Sequence, residues 1–281
     1  MREIQAVAVT AAVARLAEEA NYEMSPDVLV ALTRAHDVEK SSLGREMLEM
    51  IIENVHQAMS HRKPLCQDCG VAVVFVDVGQ EVHVTGGDLE TAIVDGVRKG
   101  YGEGYLRKSM VACPFTERTN TGDNTPPVIH YRVVPGDEIK ISLMAKGSGA
   151  ENMSRLYMLK PAEGRGGVIE AAVRAVEEAG GKPCPPLIIG IGIGGTAEAA
   201  MLLAKRSLLR KVGKPSPEAD AAALEREILE KVNRLGIGPL GLGGSVTAMA
   251  VHIESMPCHI ASLPVAVNLQ CHSARHKEAV L

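Results

Sequence analysis

The chain has 281 residues, 46% of them hydrophobic and 23% charged, with a formal net charge of −4 at pH 7. That length supplies ample core, and the slightly negative balance argues against a broad basic field for nucleic acid or an anionic membrane. With no Trp, two Phe and five Tyr, the core must be built from Ala, Val, Ile, Leu and Met, and aromatic stacking platforms for single strands are not expected.

The first 60 residues follow a helical period. Ile4, Val7, Ala11 and Ala14 mark one helix, and Ser25-Pro26 offers a cap followed by Pro at a first helical position. Ser41 or Ser42 opens a third helix carrying Met47, Met50, Ile51 and Val55. The β-branched run Val71–Val78 predicts a buried strand. Asp88 begins a helix to about Arg98, closed by the glycines of 100–104, and residues 111–127 are loop by their Pro, Thr, Asn and Gly content. Strands are predicted at 128–134, 138–144, 187–193, 246–254 and 264–269, and helices at 165–179, 195–211 and 217–234. Lys211–Pro217 is expected to be a surface turn. The fold class expected is mixed α/β: a helical N-terminal layer (1–60) packed on a mixed β-sheet (61–281), as one domain without internal repeat.

No apolar leader precedes the acid Glu3 and no run of about 18 apolar residues occurs, so neither a secretory signal nor a membrane span is expected. The six cysteines are then expected to be thiols or ligands, and the chain cytoplasmic.

Three glycine-rich segments stand out. Gly190, Gly192 and Gly195 fit G-x-G-x-x-G between a strand and a helix, but the region some 20 residues on is basic and helical, against a dinucleotide site. The remaining readings are a helix N-terminus that receives a carboxylate or phosphate and a tight strand-to-helix turn. Lys146–Asn152 and Gly236–Ser245 are similar. Together the three segments suit backbone converging on a small anionic ligand, with a glycine-rich scaffold as the alternative.

Cys66, Cys184 and Cys271 sit in polar or proline-bounded settings: Cys66-Gln67-Asp68-Cys69-Gly70, Pro183-Cys184-Pro185-Pro186 and Cys271-His272-Ser273. Thiolates from distant loops suit a metal site, and three of them would leave a cluster iron with an open position. Cys66-x-x-Cys69 lacks the second pair of a zinc ribbon, and no compact ferredoxin run occurs. Cys113, in an apolar context, is expected to be an ordinary buried thiol, while Cys258 beside His259 is ambiguous.

From about residue 5 to its end the chain resembles the α subunit of class I fumarate hydratases, the iron–sulfur fumarase and tartrate dehydratase family, in its two-subunit form. The resemblance is carried by Cys66-Gln67-Asp68, Asn120–Pro126, Lys146–Asn152, Cys184-Pro185-Pro186, Gly192–Glu198, Gly238–Gly244 and His259–Cys271, in that order. One departure is Cys69, where Thr is expected.

The resemblance implies a 4Fe–4S cluster held by Cys66, Cys184 and Cys271, with cluster loops at one edge of the sheet and one iron free to polarise a C–O bond. It implies Asp68 and His259 as catalytic residues, Asp68 in the acid–base network. It implies Gln67, Arg107 and Gly149 as substrate-binding, with His259 also hydrogen-bonding the substrate. A separate β subunit would complete the active site, in an α–β pair that dimerises. The reaction implied is reversible dehydration of a small hydroxydicarboxylate, malate first, tartrate second and a methylated homologue third. The rival is a non-catalytic metal-binding scaffold.

Overall fold

The computed structural model describes residues 1–281. Strand β1 (Arg2–Gln5) leads into helix α1 (Ala6–Tyr22), followed by α2 (Pro26–Val38) and α3 (Ser42–His61). Then come β2 (Val71–Gly79), β3 (Val82–Thr85), α4 (Leu89–Glu103), β4 (Val128–Val134), β5 (Ile139–Lys146) and the single turn α5 (Ser148–Glu151). The remainder is β6 (Arg155–Leu159), α6 (Gly164–Ala179), β7 (Leu187–Gly195), α7 (Ala197–Ser207), α8 (Ala219–Asn233), β8 (Ala248–Cys258), β9 (Leu263–Gln270) and β10 (His276–Val280). The mixed α/β expectation is met. No helix is long and apolar enough to cross a membrane.

The chain divides into two compact units: Met1–Met24, Val55–Ser148 and Arg275–Leu281 in the first, Ser25–Asn54 and Gly149–Ala274 in the second. In the first, the sheet order is β10-β5-β2-β4, antiparallel except for the parallel β2–β4 pair. Val9, Val13 and Leu16 of α1, with Ile93, Val97 and Tyr101 of α4, share a core with Val74 and Val76 of β2 and Ile141 and Leu143 of β5. The expected first helix starts late: Ile4 lies in β1, and Val7 is 73% exposed while Val9 and Val13 are buried.

In the second unit the order is β6-β9-β7-β8, again antiparallel except for one parallel pair, β7–β8. Both units thus run a central strand, a helical crossover, a parallel neighbour and an antiparallel return. This shared topology has no counterpart in the residue pattern. The faces of β7 alternate as a strand requires. Ile189 and Ile191 join Val265, Val267 and the helices α6 and α8 in one core, whereas Gly190 and Gly192 face α7. A Cβ at Gly190 would stand 2.1 Å from the Ala204 carbonyl oxygen, and one at Gly192 2.0 Å from that of Ala200. These two glycines let a helix lie against a strand, so packing rather than a ligand accounts for the first glycine-rich segment.

Candidate functional site

Antiparallel pairing brings the entry of a central strand beside the exit of its return strand. In the first unit Val71 of β2 pairs with Lys146 of β5, so the loop before β2 meets the loop after β5. The first loop carries Cys66, Gln67 and Asp68. Asp68 Oδ1 accepts the Gly70 N–H at 3.0 Å, and its Oδ2 accepts the Ser148 N–H at 2.8 Å and the Ser148 hydroxyl at 3.2 Å. The Asp68 N–H in turn points at Cys66 Sγ, at 3.4 Å.

Buried groups hold this loop from behind. The Tyr101 hydroxyl donates to the Cys69 carbonyl at 2.7 Å, and the Arg107 N–H reaches Cys69 Sγ at 3.2 Å. Burial pushes the Cys69 thiol up, the direction of an inert thiol. Arg275, 2% exposed, donates from Nη1 to the Asp68 carbonyl and to Asn21 Oδ1. Asn124, fully buried at φ 63°, donates to the Gly70 carbonyl at 3.1 Å and accepts the Ser109 N–H at 2.7 Å. Its neighbour Asp123 is pulled down to about 2 by the Thr125 hydroxyl, the Thr125 N–H and Arg98. The Asn120–Pro126 motif therefore buttresses the loop that carries Cys66. Cys66, Gln67, Asp68 and Arg107 are gathered at one end of this sheet.

The second unit repeats the arrangement. Ile188 of β7 pairs with Gln270 of β9, which places Cys184, three residues before β7, beside Cys271, the first residue after β9. Cys184 is exposed and has φ 56°. Its carbonyl accepts two hydrogen bonds from His272, one from the backbone N–H at 3.3 Å and one at 3.0 Å from ring Nδ1, which must carry the proton because a carbonyl only accepts. Cys271 Sγ shares a hydrogen bond with Ser273 Oγ at 3.0 Å. Gly149 belongs here too: a Cβ on it would lie 3.0 Å from the Lys182 carbonyl oxygen. His259 does not. It sits in the exposed β8–β9 turn, accepting the Ala261 N–H at 3.1 Å. The eight residues of β9 separate that turn from Cys271 by about 26 Å at ~3.3 Å per residue.

The third glycine-rich segment binds an anion of the chain's own. Glu39, 3% exposed, accepts the N–H groups of Lys40, Ser41 and Ser245 on Oε1 and that of Val246 on Oε2. Burial pushes its carboxyl up, but the Ser41, Ser245 and Val246 donors outweigh that and hold it below the usual range. Likewise the Ser148 donors of the second segment are taken by Asp68. Of the three segments, two thus carry internal carboxylate clamps and the first carries a close strand–helix contact.

No cluster of three or more His, Cys, Asp and Glu converges closely enough to hold one metal ion. No disulfide joins any of the six cysteines. Cys66 in the first unit, and Cys184 and Cys271 in the second, each lie off the core on a strand-end loop, and cysteine thiolates are the donors that an iron–sulfur group takes. Cys113 is not the buried thiol expected: it is only partly covered, and bonds from Thr116 and the nearby backbone lower its pKa. Cys258 is exposed and donates to the Ser262 carbonyl at 3.2 Å. Sequence reading passed over His272, Arg275, Ser148 and Tyr101 as partners of these loops, although His272 and Arg275 follow Cys271 in an otherwise plain stretch.

A family profile described as Fumarate hydratase (Fumerase) matches residues 10–280. A Methanocaldococcus jannaschii protein provisionally named as L(+)-tartrate dehydratase subunit alpha is 43% identical over 268 residues, 94% of each chain. L(+)-tartrate dehydratase subunit alpha of Escherichia coli O157:H7 is 33% identical, and that of strain K12 32%, each over 95% of this chain and 88% of theirs. On the strength of matches that run nearly its full length, the chain belongs to the fumarate hydratase (Fumerase) family.

Proposed function

We propose that the chain is the α subunit of an iron–sulfur hydro-lyase that reversibly dehydrates a small hydroxydicarboxylate, malate to fumarate, together with a separate β subunit. The observation that carries this reading is the repeated strand-end geometry. Each unit offers cysteine on a strand-end loop, held by the buried Tyr101, Asn124 and Arg275 in the first and by His272 in the second, within a full-length family match. Cys66, Cys184 and Cys271 would hold a 4Fe–4S cluster. When bound, its iron without a protein ligand supplies Lewis-acid polarisation of the C–O bond to be broken.

The chain's own residues then orient substrate and manage protons. Arg107, whose backbone is tied to Cys69, offers a guanidinium to one carboxylate. Gln67, exposed on the Cys66 loop, and the Gly149 N–H add hydrogen bonds. Asp68 takes its place in the acid–base network through Oδ2, where the Ser148 hydroxyl already donates. His259 stands at the far end of its sheet from Cys184 and Cys271, so its catalytic role requires delivery from a second copy of the chain, in keeping with a pair of α–β units. The relatives named for L(+)-tartrate dehydratase favour tartrate as a second reading. It differs from malate by one hydroxyl, a group that a site discriminates strongly only when it is built to hydrogen-bond it.

The test is anaerobic turnover of malate, fumarate and L-tartrate by the chain alone and with its β subunit. Activity only in the pair, with kcat/KM highest for malate, is the expected result. Turnover by the chain alone would overturn the divided site, and preference for tartrate would move the assignment to the second reading. A pair inactive on every hydroxydicarboxylate tried would favour a scaffold.

A further inference from the structure

We propose that His272 is a positioning residue that clamps the Cys184 and Cys271 loops together before any cluster is present. The inference rests on the assignment of those two cysteines as ligands, and goes beyond it by naming what sets their spacing. Backbone hydrogen bonds hold part of the Cys184 loop, from its own N–H to the Gly181 carbonyl at 3.1 Å and from the Leu240 N–H to the Pro185 carbonyl at 2.8 Å, but neither reaches the Cys271 loop. Cys184 is exposed, has φ 56° and is followed at once by two prolines, neither of which has an N–H to donate. A non-glycine residue adopts that backbone conformation only at a cost, so something must hold it there. The group that ties it to the other loop belongs to the residue next to Cys271. Two of its donors, the backbone N–H at 3.3 Å and ring Nδ1 at 3.0 Å, converge on the Cys184 carbonyl oxygen.

The neighbouring unit solves the same problem with a different group. There the loop before β2 is tied to the loop after β5 by the Asp68 carboxylate on Ser148. In the second unit the His272 imidazole spans the corresponding loops. Because the His272 backbone N–H also reaches the carbonyl, removing the ring loosens the clamp without severing it, and the sheet pairing of Ile188 with Gln270 is left in place. The ring thus fixes the spacing of two thiols rather than the fold.

The test uses the full-length chain, reduced and free of metal, and dibromobimane, which bridges two neighbouring thiols and becomes fluorescent on doing so. The bridged Cys184–Cys271 peptide is quantified by mass spectrometry. Bridging should fall about fivefold in His272→Ala and His272→Phe, the effect of one hydrogen bond. It should return to near wild type in His272→Asn, whose amide N–H can stand where ring Nδ1–H stood. Unchanged bridging in the Ala and Phe variants would overturn the proposal. So would equal loss in all three, which marks general loosening, or a wild type that never forms the bridge. Iron uptake by the wild type is measured separately. Bridging that follows the expected pattern in a chain that takes up no iron upholds the clamp and removes the cluster reading.

Discussion

The two units share a strand order and differ in how they fill it. The first builds its central strand β2 from Val73, Val74, Phe75 and Val76, and keeps its helices α1 and α4 on a broad aliphatic core. The second gives up side chains on one face of β7, at Gly190 and Gly192, so that α7 can lie on the strand itself. Both put a cysteine-bearing loop at the same place, where the central strand begins and the return strand ends. One topology therefore supplies two similar strand-end platforms. The difference lies in the fastening: a carboxylate on Ser148 in one, an imidazole on a carbonyl in the other. The lesson is that pairing register decides which loops can cooperate, and side chains decide how firmly.

The largest effect that could break this picture concerns the opposite sheet end. His259→Ala and Cys184→Ser should each lower turnover by at least about a hundredfold, the usual scale for lost proton handling or more. Co-expressed with the β subunit, the two variants should recover activity in mixed assemblies, because each copy supplies what the other lacks. Absence of any recovery would contradict delivery of His259 from a second chain.

Next comes the close contact of strand and helix in the second unit. Gly190→Ala should destabilise the protein by roughly 1–3 kcal/mol, the cost of forcing atoms into a filled space, in a urea titration followed by circular dichroism. Val73→Ala in the first unit's central strand, buried at 2% exposure, should also destabilise, for the opposite reason, by leaving a void. A neutral Gly190→Ala would show that α7 does not lie where its carbonyls place it.

The smallest effect is the Glu39 clamp. Its folded pKa lies below the unfolded value of about 4.3, so its contribution is present above that pH and is lost as pH falls through the folded pKa. Glu39→Gln should cost about 1.5 kcal/mol near pH 7, the scale of a hydrogen bond to a charged group. The gap from wild type should narrow as pH drops below about 4.3. A gap that stays constant with pH would mean the carboxylate's charge is not what the loop holds.

Long amphipathic helices and the aliphatic strands β2 and β7 were legible because their patterns repeat locally. The strands β6 and β10 were not. Each is five residues long, only half-covered, and defined by pairing with β9 or β5 far away in the chain. The same limit governs the site. Proline and polar neighbours marked Cys66, Cys184 and Cys271, but His272 meets Cys184 across 88 positions and Glu39 meets Ser245 across 206. A glycine run announces available N–H groups without saying whose anion takes them. Here Asp68 and Glu39 take donors of two of the three segments, and close packing against α7 accounts for the glycines of the other.

Anaerobic reconstitution with iron and sulfide, followed by quantification of both and by EPR after mild oxidation with and without malate, tests the central claim most directly. Expected are about four irons per chain, a signal that responds to malate once the β subunit is present, and loss of the iron in Cys66→Ser, Cys184→Ser and Cys271→Ser but not in Cys113→Ser or Cys258→Ser. Zinc in place of iron, or iron retained when any of those three thiols is removed, would contradict it.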